Sequence, residues 1–163
     1  MAGDTIGSAA YELTARQDRA AAGSIASLEV SMTPLADEVA RLRGIGRDAL
    51  THVTQGDSGR LEADLAAGLA VLERAGSTVE GIRVVLAELP AGSARFGLSE
   101  LDQERLAAVE TVVAAVASLD ETWRRVAPSD PGAAARVDEA VLAVESTGGA
   151  VEEARQALAG PAP

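Results

Sequence analysis

The sequence predicts an all-α fold: an antiparallel up-down four-helix bundle with long helices and an N-terminal helical extension. Three observations predict it. Apolar residues recur in alternating steps of three and four over four separate stretches, the spacing that builds one apolar face on a helix. The apolar set is dominated by Ala, Val and Leu, with only Tyr11, Phe96 and Trp123 aromatic, which favours helix over sheet. Short runs rich in Gly, Pro, Ser and Asp separate the four stretches, and short connections make successive helices antiparallel.

The first bundle helix is expected over 25–55, on the series Ile25, Leu28, Met32, Leu35, Val39, Leu42, Gly46, Ala49 and Val53. Pro34 interrupts it chemically but not in phase. A helix starting afresh at Pro34 behind a Thr33 cap would recover that phase only by chance, and would be about two thirds as long as its neighbours. The reading is therefore one helix kinked at Pro34, on the solvent side, where a kink does least harm. It is expected to extend back toward Thr5, and the extension at 1–24, with a weaker apolar stripe (Ile6, Leu13), is expected to be helical and loosely held.

The second helix is expected over 59–89, from Leu61 to Leu89, after a turn in "HVTQGDSGR" where Asp57 or Ser58 can cap. "LPAGSARFG" breaks the chain before a third helix over 99–127. Ser99 and Asp102 there resemble a capping box, with Asp in place of the usual Glu or Gln. "APSDPG" precedes a fourth helix over 131–159, with Asp130 as cap, Pro131 in its first position and an apolar stripe of Val137, Val141, Val144, Gly148, Val151 and Leu158. The bundle thus occupies 25–160, and 161–163 form a disordered tail.

Charge and composition exclude several functions. The net charge is −11, and all 14 basic residues are Arg. No basic face exists to neutralise phosphates, so nucleic acid is not an expected partner. The longest strongly apolar run, "TVVAAVASL" at 111–119, is too short to span a bilayer. There is no cysteine, so thiolate and disulfide chemistry are absent.

Catalytic, cofactor and metal sites are not expected. "QGDSGR" resembles the segment around the serine nucleophile of trypsin-like proteases, but the pattern's last glycine is Arg60 here, and those enzymes need two β-barrels and a distant His and Asp. The stretch is read as an interhelical turn. The one histidine, His52, follows Asp48 by a helical turn and is expected to pair with it. A lone His without Cys does not make a typical zinc site. Arg43 and Arg47, one turn apart, are candidate anion contacts, with acidic residues on a neighbouring helix as the simpler partners. Trp123 is read as a core residue near the level of Ala49, Leu65 and Ala135. Asp120 is expected to face out while Leu119 turns in.

Folding the helices back on one another places Pro34 near the level of Gly81, Gly148 and Gly149. An interior glycine costs about 1 kcal/mol relative to Ala. These four residues are therefore a candidate hinge or soft layer, with close packing of small residues as the plainer explanation.

The expected function is a non-catalytic structural or protein-interaction module, with no cofactor, acting on a protein partner or by self-association as a homodimer. The alternative is an extracytoplasmic sensor or small-ligand domain of a bacterial membrane protein. The first bundle helix starts, and the last one ends, at the same pole. In architecture alone that resembles bacterial chemoreceptor sensor domains, and the resemblance carries over no binding residue. The compartment is expected to be cytoplasmic if Met1 is the native start, and extracytoplasmic if the chain is a domain of a longer protein.

Overall fold

A computed structural model describes residues 2–160; Met1 and the expected tail at 161–163 lie outside the described residues. Among the described residues the chain is a four-helix bundle without strands: α1 (Ala2–Thr54), α2 (Ser58–Ala87), α3 (Glu100–Arg124) and α4 (Ala133–Ala159). A 3-10 turn at Gly92–Gly97 lies between α2 and α3 and was not expected. Around the bundle α1 packs on α2 and α4, and α3 on α4 and α2, so α1 and α3 are diagonal. No helix among the described residues is long and apolar enough to cross a membrane.

α1 runs unbroken through Pro34, which is exposed. Pro34 has no N–H, so the Val30 carbonyl lacks its helical donor, a defect of about 3 kcal/mol in a helix interior. Leu28, Met32, Leu35 and Val39 flank it, and each is buried. Each such side chain contributes about 1.5–3 kcal/mol by burial, so packing outweighs the defect and the helix continues. α1 has 53 residues against 30 in α2. At 1.5 Å per residue that is roughly 80 Å against 45 Å, so α1 overruns its partners by about twenty residues.

The core follows the predicted stripes with one shift. Val137, Val144, Val151 and Leu158 of α4 are buried as expected, but Thr147 is buried in place of Gly148, and Ala140 in place of Val141. The Thr147 hydroxyl, buried among apolar neighbours, donates to the Ala143 carbonyl at 2.8 Å. On α3, Leu119 is buried, and Asp120 turns away to accept from Arg124 at 2.9 Å.

The helix ends show where local chemistry decided. α1 stops at Gly56, whose φ of +70° few other residues tolerate. Asp57 then caps α2 by accepting from the Arg60 N–H at 3.2 Å, and Ser99 caps α3 by accepting from the Asp102 N–H at 3.1 Å. α4 starts later than expected. Asp130 accepts from the Gly132 N–H at 3.1 Å and holds Arg136 at 3.0 Å, so it closes a turn before the helix, and Gly132 stands at the cap. At its other end, Arg105 of α3 donates to the Ala157 carbonyl of α4 at 2.9 Å, tying the last turn of α4 down.

Candidate functional site

A hollow of about 490 Å³ lies between α1 and α4. Its floor follows from the sequence: Ala36 and Ala40 of α1 face Gly148 and Gly149 of α4, and such small side chains leave the groove between the two helices unfilled. Its rim is charged. Arg43 reaches across to Glu145 at 3.2 Å, and Arg155 lies 3.7 Å from Glu152. The hollow continues along the same seam past Glu29, Thr33 and Gln156.

Gly148 shapes this groove. A Cβ placed there would meet the Arg43 guanidinium at 3.1 Å and Val39 at 3.5 Å, so glycine lets Arg43 lie against α4. Among the described residues Arg43 Nε is buried with no hydrogen-bond partner, while the side chain as a whole stays 41% exposed, leaving its outer nitrogens within reach of a ligand. Arg43 thus takes an acidic partner on a neighbouring helix. Arg47, one turn on, is exposed and lines neither hollow of this seam.

The four residues of the candidate soft layer do not share one level. Counting along antiparallel helices from the His52–Asp64 pair puts Gly81 beside Pro34. Gly148 instead lies against Val39 and Arg43, further down α1. The connection at 125–132 is longer than the turn expected between α3 and α4, and it displaces α4 along the bundle. Close packing does not account for Gly81 and Gly149 either, since a Cβ on each would meet nothing within 4 Å.

Three polar features were not foreseen in the sequence. His52 Nδ1 pairs with Asp64 of α2, and not with Asp48 on its own helix; the two side chains are 20% and 18% exposed. Asp48 is exposed, and the shielded interhelical partner prevails. Glu38 sits at the seam of α1 and α2, with Oε2 buried and without a hydrogen-bond partner among the described residues. Burial raises its pKa above the ordinary carboxylate value, opposed by the Arg74 guanidinium, the Thr78 hydroxyl and Arg41. Trp123 donates its indole N–H to the Leu65 carbonyl at 3.0 Å. Its core placement was legible, but its partner was not, because backbone acceptors carry no sequence signal.

The "QGDSGR" stretch is a turn in which Asp57 caps α2, while His52 is engaged with Asp64. Among the described residues no group of three or more His, Asp or Glu side chains is placed to hold a metal ion. No protein-family model, curated protein or solved structure matches the chain.

Proposed function

We propose that the chain is a non-catalytic protein-interaction module that docks through α1, with the α1 of a second copy as its partner. One observation carries this reading: α1 is a single helix that outruns its partners by about twenty residues. Most of a helix's stability in a protein comes from packing of an apolar face, so the overrun gains most from packing against another helix.

The phase of α1 supports the same reading. Extending the core line of Ile25, Leu28 and Met32 backward reaches Ala21, Asp18, Thr14, Tyr11, Gly7 and Asp4, which are mostly polar or small. The apolar positions 6, 13 and 20 repeat every seven residues and lie about 120° around the helix from that line. The line they define continues to Ser27 and Pro34, both exposed, with Val30 beside it at 74% exposure. A second helix laid along it would cover Val30 and find small residues at Gly23 and Ser27. The mass of the protein in solution, with and without Ile6 and Leu13, tests this reading.

The groove of α1 and α4 favours a second reading, a small-ligand or sensor module. Its volume of about 490 Å³ falls in the range of small-molecule pockets, and Arg43 offers a positive group on its rim. A carboxylate ligand that raises the melting temperature of the native chain, but not of Arg43→Gln, would support it. No shift with a panel of carboxylates would remove it.

A further inference from the structure

We propose that the bundle opens along one seam, between α2 and α3, while its other three seams stay closed. α2 and α3 touch over the sparsest of the four seams between adjacent helices. A hollow of about 270 Å³ runs along it, where Leu72, Gly76 and Val79 of α2 face Val113, Val116 and Ala117 of α3. Gly76 is one reason for the gap: a Cβ there would meet nothing within 4 Å.

The polar contacts divide the same way. α1 is tied to α2 by His52 and Asp64 and to α4 by Arg43 and Glu145. α3 is tied to α4 by Arg105 and by Thr147, whose hydroxyl lies 3.4 Å from the Ala115 carbonyl. Across α2 and α3 the described hydrogen bond is that of Trp123 to Leu65, close to the pole where α2 begins and α3 ends. Along the remainder of the seam apolar side chains meet around the hollow, and at its exposed edge Arg124 of α3 attracts Glu73 of α2 without closing an ion pair with it among the described residues.

The connection between the two helices permits the motion. Arg95 in the 3-10 turn pairs with Glu110 of α3, and Gln103 donates to the Leu98 carbonyl at 2.9 Å. The turn is therefore anchored on α3 and holds Pro90 through Arg95, whereas Glu88 and Leu89 hydrogen-bond back into α2, so the bend falls between Leu89 and Pro90. Separation of α2 from α3 starts at that end and runs toward Trp123, which acts as the latch.

The chain contains no cysteine, so single thiols report on each seam separately. The four variants are Val79→Cys and Val116→Cys in the α2–α3 seam, and Val39→Cys and Val144→Cys on α1 and α4. The four valines are between 1% and 5% exposed, so a thiol at any of them reacts with a disulfide reagent only when the structure opens. Each labelling rate is referred to the variant's own stability from a urea melt. The expected result is labelling at 79 and 116 at least fivefold faster than at 39 and 144, and either seam variant suffices if the other does not fold. Any smaller ratio overturns the proposal, because a single global opening exposes all four alike. Trp123→Phe, which removes the latch's donor, is expected to speed labelling at 79 and 116 several-fold more than at 39. An equal effect at all three positions would also overturn it.

Discussion

The indole N–H of Trp123 donates to the Leu65 carbonyl at 3.0 Å, and the ring lies directly on the backbone of Gly68. A Cβ on Gly68 would stand 2.0 Å from Cζ2 of that ring, closer than any packing permits. Gly68→Ala should therefore destabilise the fold although alanine is the better helix former. The expected loss is about 1–3 kcal/mol, the usual cost of overfilling a close-packed core, seen as a lower urea midpoint at an unchanged slope. A midpoint at or above the wild-type value would mean that the ring does not rest there.

The opposite outcome is expected at Gly81 and Gly149, where a side chain meets open space. Gly81→Ala and Gly149→Ala should each stabilise by about 1 kcal/mol, the gain in helix propensity. Thermal melts should rise by about 2–4 °C per substitution for a chain of this size. If self-association is unchanged in both, a hinge role for these glycines is excluded. Gly148→Ala should gain less, because its Cβ must displace the Arg43 guanidinium.

Pro34→Ala restores the donor missing from the Val30 carbonyl at an exposed position, so nothing in the core is lost. The gain should be about 2 kcal/mol, less than the full cost of an interior proline because the unfolded chain also becomes freer. A variant no more stable than the parent would show that the helix already accommodates the ring without cost.

Glu38 predicts a pH dependence. Its folded-state pKa is raised, chiefly by burial, so the folded chain holds the proton more tightly than the unfolded chain. That contribution is complete below the ordinary carboxylate range and is lost as the pH rises through the raised value. Glu38→Gln should melt with the parent at acid pH and roughly 1–2 °C above it at neutral pH, a small gain because the carboxyl is only partly withdrawn from water. A variant less stable at neutral pH would show that Arg74 and Thr78 outweigh the burial.

Much of this fold is legible in the residues because helix periodicity is a long-range signal. The unbroken phase of Leu28, Met32, Leu35 and Val39 identifies one helix through Pro34, and summed burial explains why a single local defect does not end it. Local choices are less legible. Asp130 and Pro131 read as a helix start, yet Asp130 spends its carboxylate on the Gly132 N–H and on Arg136, and α4 begins at Ala133. That shift moves Gly148 away from Pro34 and toward Arg43, which is why the expected soft layer dissolves and a groove takes its place. His52 shows the other limit: Asp48 and Asp64 are equally good partners by chemistry, and only the tertiary register selects Asp64.

The measurement that bears most directly on the docking role of α1 is sedimentation equilibrium of the intact chain beside an Ile6→Asp, Leu13→Asp double variant, with helix content checked by circular dichroism. The account predicts a dimer of twice 16.5 kDa for the intact chain and a monomer of 16.5 kDa for the variant, with the bundle still folded. A monomer for the intact chain at every concentration up to the millimolar range, or a dimer that the two aspartates leave untouched, would contradict it.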